Sequence, residues 1–200
     1  MDTATPTAMA KKANLRHLGF AGLGIVLILV LHNTFVAWLR LAWHNEEYSF
    51  LWIIPLISAS LSYWRRREVF AKTETAPDGA ALIAVGATLC VLARVLSPRL
   101  EPINDLTVAV AGVVAFEAGV FRLCYGRQAW RAERFPLAFL LFMIPLPTVL
   151  LSRIIACLQA GSAAVVDGIF SVLQISFWRN GLQFDLRGLQ IEIAPECSGI

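Results

Sequence analysis

Charged residues are scarce in this sequence, and the signatures of several enzyme classes are missing from it. Only 16% of its 200 residues are Asp, Glu, Lys or Arg, whereas soluble domains carry about 25%. No phosphate-binding loop, dinucleotide fingerprint or HExxH zinc motif occurs. The main arginine cluster, within 122–134, flanks an apolar run and indicates membrane topology. We therefore expect no nucleic-acid partner.

Cysteine is also sparse, and its placement excludes further chemistry. The four cysteines are Cys90, Cys124, Cys157 and Cys197. They show neither a CxxC motif nor the spacing of metal ligands. Cys90 and Cys124 lie inside apolar runs, where a cysteine usually behaves as a small hydrophobic residue. We expect no disulfide framework, no metal and no cofactor.

Hydrophobic residues make up 58% of the sequence, which is typical of an integral membrane protein. The predicted fold class is an all-α polytopic membrane protein with about five transmembrane helices. Residues 1–13 are expected to form a disordered cytoplasmic tail, and residues 14–200 a single membrane domain. The lipid bilayer is thus the first expected partner. The runs that we assign to the bilayer core, about 30 Å thick, are 18–39, 50–64, 80–96, 106–124 and 135–151.

The basic residues are distributed unevenly between the two sides of these spans. With the N-terminus in the cytoplasm, eleven of the 17 lysines and arginines lie in cytoplasmic segments. The outer loops between spans hold only Arg40 and Arg99. This asymmetry follows the positive-inside rule. It predicts a multi-pass protein of the plasma (inner) membrane, in which everything after Arg153 lies on the outer side.

The first part of that outer segment, residues 154–178, is apolar but interrupted by polar residues. Four of them fall within about 140° of one another at 100° per residue: Gln159, Ser162, Asp167 and Gln174. This pattern indicates a helix that lies in the outer interface with one wet stripe. A sixth span is the alternative, and it would place Cys197 on the cytoplasmic side.

The second part, residues 182–193, alternates strictly between apolar and polar residues. Arg187 and Gly188 interrupt the alternation as a two-residue turn, so the segment predicts a β-hairpin. An isolated hairpin is only marginally stable in water, and its apolar face is expected to rest on the outer helices. That face is predicted to consist of Leu182, Phe184, Leu186, Leu189, Ile191 and Ile193.

Cys197 follows the hairpin and is the best candidate for chemistry. Pro195 is typical of a helix start, and a helix N-terminus at Cys197 would favour its thiolate. The neighbouring Glu196 disfavours the thiolate unless its side chain turns away. A catalytic thiol also needs a base or a cation, and His44 is the histidine predicted to share the outer side with it. The alternatives are a structural cysteine at a helix entry and an ordinary loop histidine.

Two charged residues lie within predicted spans, where such residues suggest function. Arg94 is close to the outer end of its span and can extend its guanidinium to the interface. Glu117 lies about 16 Å from the outer end of the next span, so the two pair poorly. Glu117 then needs another partner or a proton. It is the main feature that would favour a transporter, against which the lack of an internal repeat counts.

Several ordered motifs of the sequence resemble the exosortase/archaeosortase family of membrane proteins. Residues 47–50 (EYSF) and 55–57 (PLI) are similar to the family's first outer loop and second span. Residues 142–147 (FMIPLP) resemble its Pro-rich span. Asn180-Gly181 with the alternating segment, followed by the CSGI of 197–200, resembles its nucleophile region. The resemblance covers the chain from about residue 40 onward.

This resemblance implies a cysteine peptidase or transpeptidase with Cys197 as the catalytic nucleophile. Its implied partners are exported proteins that carry a C-terminal sorting signal (PEP-CTERM type), cut at the outer membrane face. The family's Arg and His partners lie beyond the cysteine, and the sequence ends at Ile200. We therefore expect the 200-residue chain by itself to be inactive. The alternative function is a non-catalytic polytopic scaffold or an exopolysaccharide-assembly component.

Overall fold

Most of the apolar runs form α-helices, as expected where lipid leaves backbone groups no partner outside their own segment. The computed structural model describes residues 6–70, 75–186 and 188–194, and the chain divides into two units, Met1–Pro145 and Leu146–Ile200. The first unit contains α1 (Pro6–Val30), α2 (His32–His44), α3 (Ile53–Val69), α4 (Gly79–Leu96) and α5 (Pro102–Phe139). The second contains α6 (Thr148–Val172), β1 (Phe177–Asn180), β2 (Gln183–Leu186) and β3 (Leu189–Glu192).

The first predicted span, 18–39, is divided between α1 and α2. The chain bends by 79° between them. Leu31 stands at the break and packs against Cys90 and Val113, so a tertiary contact holds the bend in place of a proline or glycine. The helix α1 begins at Pro6, inside the segment predicted to be a disordered tail.

Helices α4 and α5 approach each other through glycines, the usual way in which membrane helices come into close contact. A Cβ added at Gly86 would lie 2.7 Å from the carbonyl oxygen of Gly112. A Cβ added at Gly119 would lie 2.6 Å from the backbone nitrogen of Ile83. Because the obstacles are backbone atoms, no side-chain rotation can relieve them. The two helix backbones are therefore in direct contact over about two turns of helix.

The long helix α5 reverses direction at Gly126. This residue has φ 84° and ψ −172°, outside the helical region, and glycine adopts a positive φ without the steric cost of a Cβ. Nearer the start of α5, Thr107 Oγ1 lies 2.9 Å from the carbonyl oxygen of Pro145 and 2.9 Å from that of Ile103, and the two acceptors share its single hydroxyl proton. Thr107 and Pro145, which lie on either side of Gly126 in the chain, are thus in contact. The part of α5 after Gly126 therefore runs back along the part before it.

The returning part of α5 packs on α3. Ser58 Oγ donates to the carbonyl oxygen of Pro136 at 2.9 Å, and Arg65 Nη1 donates to that of Ala132 at 3.1 Å. Near Gly126, an aromatic cluster of Phe121 and Tyr125 is closed by Val69 and Ala129. The first unit is therefore a bundle with a Gly126 end, near His17 and Asp78, and a Thr107 end, near Arg94 and Pro145.

In the second unit the predicted hairpin is present and is extended by a third strand. β2 and β3 pair antiparallel with Leu186 opposite Leu189, as a two-residue turn requires. β1, which lies partly in the segment predicted as helix, pairs with the other side of β2. Phe184 is fully buried against Ala163 of α6, with Leu182, Leu186 and Ile193 in the same cluster, so β2 rests on a helix as expected. The prediction that Leu189 and Ile191 belong to this packed face is wrong, because β3 is an edge strand that leaves them 59% and 37% exposed. Arg187, assigned to the turn, lies outside the described residues.

Within the described residues, three helices are long and apolar enough to cross a membrane, or four if the bent α1–α2 pair counts as one span. The three are Gly79–Arg99, Pro102–Met143 and Thr148–Val172. The prediction of a helical membrane protein with a small β-element is thus confirmed. The count of five spans is not, because α3 has only 17 residues and the run 135–151 is divided among α5, a 3-10 turn at Leu140–Met143 and α6.

Candidate functional site

The segment that leads to Cys197 is fixed to α6 by its own hydrogen bonds. Gln159 Nε2 donates to the carbonyl oxygen of Ile193 at 3.0 Å, and the Ile193 N–H donates to that of Leu182 at 3.1 Å. The Ile193 side chain is buried with Phe184. The last described residue is Ala194, so Cys197, the predicted nucleophile, lies outside the described residues together with Glu196.

The polar stripe predicted for this helix faces the sheet at two positions. Besides Gln159, Asp167 accepts a hydrogen bond from Arg179 Nη1 of β1 at 2.7 Å. Both partners are partly buried, so the ion pair links α6 to the first strand more firmly than a fully exposed pair would. These residues therefore attach the sheet to the helix, in addition to any contact with water.

His44 lies at the end of α2, in the first unit. Its Nδ1 is 3.1 Å from the carbonyl oxygen of Arg40, and because a carbonyl can only accept, Nδ1 carries the proton in this contact. The Nε2 atom is then left as the basic nitrogen. His17, by contrast, contacts the Tyr125 hydroxyl through Nδ1 at 2.8 Å, at the Gly126 end. The two histidines thus lie at opposite ends of the bundle.

The two predicted intramembrane charges do not pair with each other among the described residues. Glu117 faces α1 at Gly24, where an added Cβ would be 3.3 Å from its Oε1. Arg94 lies at the Thr107 end and lines a cavity there. This arrangement is consistent with the prediction that Arg94 and Glu117 lie at different depths in the membrane. No described residue supplies a cation or a hydrogen-bond donor to Glu117.

Two of the motifs on which the family resemblance rests make tertiary contacts or are buried in the first unit. In the FMIPLP segment, the carbonyl oxygen of Met143 accepts a hydrogen bond from Trp38 Nε1 at 3.0 Å, and that of Pro145 accepts from Thr107. In the EYSF segment, Tyr48 is buried, and burial, with a smaller effect of Glu47, raises its pKa. Its phenol therefore stays neutral.

The Gly126 end carries an ion-pair cluster that sequence reasoning missed. Asp78, just before α4, accepts hydrogen bonds from Arg122 at 2.6 Å and 3.1 Å, and Arg127 Nη2 lies 3.0 Å from the same carboxylate. The hydrogen bond from Arg122, followed by that from Arg127, lowers the pKa of Asp78 to about 2. The signal in the sequence was an aspartate at the start of a predicted span, on the same predicted side of the membrane as the arginine cluster of 122–134.

Glu133 was also missed, although its burial can be read from the helical period. It is 2% exposed, and its Oε2 has no partner among the described residues. Ala129 and Pro136, four residues before it and three after it, are buried on the same face. The neighbouring arginines 127, 131 and 134 are exposed on another face. Ser62 supplies a side-chain hydrogen bond to this carboxylate and Arg65 a nearby positive charge, so Oε2 is the atom that still needs a proton or a partner.

No group of three or more potential metal ligands occurs among the described residues. Helices of membrane-spanning length, a glycine-mediated helix pair and a small sheet that leads into a cysteine define a multi-pass membrane protein with a candidate thiol site. The sequence model of the transmembrane exosortase (Exosortase_EpsH) family matches residues 38–200. The chain therefore belongs to the exosortase family. No curated protein and no solved structure gives a significant match.

Proposed function

We propose that this protein is a cysteine peptidase or transpeptidase that processes C-terminal sorting signals, of the PEP-CTERM type, on exported proteins at the outer membrane face. The observation that carries the proposal is the family match over residues 38–200, a range that includes Cys197. Fold alone does not establish function, so the site residue is the part to be tested.

The proposed reaction uses Cys197 as the nucleophile. Its sulfur adds to the scissile carbonyl carbon, the C–N bond breaks, and the departing amine takes up a proton, which leaves a thioester. Water or an acceptor amine then attacks the thioester and restores the thiol. In support, the sheet carries the backbone to Ala194, three residues before Cys197, and Phe184 and Gln159 fix that sheet to α6. A fixed approach is what a positioned nucleophile requires.

The first unit fits five membrane crossings with a cytoplasmic N-terminus. The crossings would be the α1–α2 pair, α3, α4 and the two antiparallel parts of α5. The reversal at Gly126 supports dividing α5 in this way. The Gly126 end carries Arg65, Arg122 and Arg127. The positive-inside rule assigns such an end to the cytoplasm.

The sheet supports an interfacial position for α6, although α6 is long and apolar enough to span. It packs on the C-terminal half of α6 through Ala163, Val166 and Phe170. Its other face exposes charged and amide side chains together with Trp178, which is 75% exposed, and within the described residues β1 and β3 are the two edge strands. Open sheet edges are not tolerated in hydrocarbon. With α6 in the outer interface, five crossings would put Cys197 on the outer side, as the proposal requires.

Labelling with a membrane-impermeant maleimide tests this topology. In a variant that retains only Cys197, with the other three cysteines replaced by alanine, we expect labelling in intact spheroplasts. In a cysteine-free background, Thr75→Cys, on the predicted cytoplasmic linker, should label only after permeabilisation, and Arg99→Cys should label like Cys197. Labelling of Cys197 only after permeabilisation would refute both the topology and the enzyme proposal.

Processing is tested in the native host, with Cys197→Ala introduced at the chromosomal gene. We expect a secreted reporter with a C-terminal sorting signal to accumulate in its uncleaved form. Cys157→Ala serves as the matched control, since Cys157 is an exposed cysteine of the same unit. Normal reporter cleavage in the Cys197→Ala strain would sink the peptidase proposal and favour the non-catalytic scaffold.

A further inference from the structure

A polar cavity opens at the Thr107 end of the bundle. It has a volume of about 270 Å³ and lies between α2, the end of α4 and the start of α5. At about 30 Å³ for each water in the liquid, this is space for roughly nine waters, or for a small polar group. The polar side chains on its wall are Asn33, Thr34, Arg94, Ser97 and Asp105.

The carboxylate of Asp105 is only half satisfied in this cavity. Its Oδ2 accepts a hydrogen bond from Ser97 Oγ at 3.3 Å. Its Oδ1 is buried and has no hydrogen-bond partner in the part of the chain that the structure describes. A buried oxygen without a donor is costly, so this atom is a natural position for an N–H group of a ligand.

Arg94 supplies the opposite charge on the same wall. No hydrogen bond or ion pair joins its guanidinium to another residue within 6–70, 75–186 or 188–194, and it forms no salt bridge with Asp105. A guanidinium binds phosphate and carboxylate oxygens through paired N–H groups. The cavity therefore offers an anion site and a separate acceptor for a cationic or N–H-bearing group.

The surroundings of the cavity are those of the membrane interface. Arg94 and Asp105 lie at the adjoining ends of two candidate spans, Gly79–Arg99 and Pro102–Met143. Beside the cavity is a wider groove of about 450 Å³, and the two share Ala37, Pro102 and Leu106 as lining residues. The shared wall is apolar, and the groove adds Leu41 and Ile103 besides the polar residues Arg40, His44 and Asn45, so a polar compartment continues directly into a mostly apolar one.

We propose that this cavity binds the headgroup of a phospholipid with a primary amine, such as phosphatidylethanolamine. The phosphate is held by Arg94, the ammonium donates to Asp105 Oδ1, and the glycerol and first acyl carbons lie along the apolar groove. A lipid is favoured over a peptide for two reasons. Lipids are always present at the membrane interface, and a headgroup followed by acyl chains matches the change from polar to apolar lining residues between the cavity and the groove. The inference is independent of the proposed peptidase activity.

Native mass spectrometry of the delipidated full chain tests the proposal. The chain is titrated with three lipids of identical acyl chains: phosphatidylethanolamine, phosphatidylcholine, which lacks N–H groups, and phosphatidylglycerol, which lacks the cation. We expect phosphatidylethanolamine to bind about tenfold more tightly than phosphatidylcholine, the factor that one charge-assisted hydrogen bond supplies. Free phosphoethanolamine should compete only weakly, since it cannot use the groove.

Two substitutions distinguish this site from general lipid adhesion. Arg94→Gln should lower phosphatidylethanolamine binding about tenfold, whereas Arg99→Gln, an arginine of the same end outside the cavity wall, should leave it unchanged. Asp105→Asn should bring the ratio of the affinities for phosphatidylethanolamine and phosphatidylcholine close to one. This affinity ratio does not depend on the fraction of the protein that is folded. Equal binding of both lipids by the wild-type chain would overturn the proposal. So would an unchanged ratio in Asp105→Asn, or displacement of the lipid by the blocked peptide acetyl-Ala-Glu-Ala-amide.

Discussion

The close contact between α4 and α5 predicts that adding a single methyl group at Gly86 destabilises the protein. In Gly86→Ala, the new Cβ would lie 2.7 Å from the Gly112 carbonyl oxygen, whereas ordinary contacts begin at 3.4 Å. The helices would have to separate by several tenths of an ångström, and overpacking of this kind costs about 1–3 kcal/mol. Replacing a helical glycine by alanine gains about 1 kcal/mol of helix propensity. We expect a net loss of about 0–2 kcal/mol.

The matched control is Gly22→Ala in α1, where no atom lies within 4 Å of the added Cβ. There the propensity gain of about 1 kcal/mol should appear as increased stability. The free energy of unfolding of both variants is measured in detergent micelles, from the loss of helical circular dichroism as the SDS fraction rises. The reasoning fails if Gly86→Ala stabilises the protein as much as Gly22→Ala does.

Three further predictions concern the sheet, the Asp78 cluster and the α5 reversal. Phe184→Ala should cost about 3–5 kcal/mol of stability, whereas Ile191→Ala, opposite it on β3 but 37% exposed, should cost far less; equal losses in chemical denaturation would contradict the packing. Asp78 has a folded pKa of about 2, below the unfolded value of about 3.9, so its stabilisation is present above about pH 4 and is lost as the pH falls toward 2. Asp78→Asn should remove that part of the pH dependence of unfolding, and an unchanged profile would refute it. Thr107→Val should cost about 0.5–1.5 kcal/mol, because its hydroxyl contacts Pro145 as well as Ile103 of its own helix, whereas Thr88→Val, whose hydroxyl bonds only within its own helix, should cost less; equal costs in SDS unfolding would contradict the bond between Thr107 and Pro145.

The features that the sequence predicted well are those set by local periodicity. Two-residue alternation fixed the register of β2 and β3, and the position of Phe184 on the buried face followed from it. The apolar run 80–96 predicted α4 almost to the residue. In α4 and β2 the side-chain pattern and the final packing demand the same structure. In β3 they do not, because Leu189 and Ile191 were predicted to pack and are exposed.

The features that escaped prediction depend on contacts between distant residues. The break at Leu31 has no local signal, because its cause is packing against Cys90 and Val113. β1 lacks alternation and exists because β2 offers it an edge. The polar cavity combines Asn33, Arg94 and Asp105 from three helices, and the sequence showed only the arginine as unusual. For Cys197, the role of nucleophile stays a prediction.

The reversal at Gly126 has a consequence for how the chain tolerates change. Since one residue performs the whole turn, the two parts of α5 are joined with a fixed rotational phase and no slack. Inserting a single residue beside Gly126 would rotate the returning part by about 100° about its axis. Pro136 and Ala132 would then turn away from Ser58 and Arg65, and Pro145 from Thr107. Length changes that an ordinary surface loop would absorb should here misalign every contact downstream.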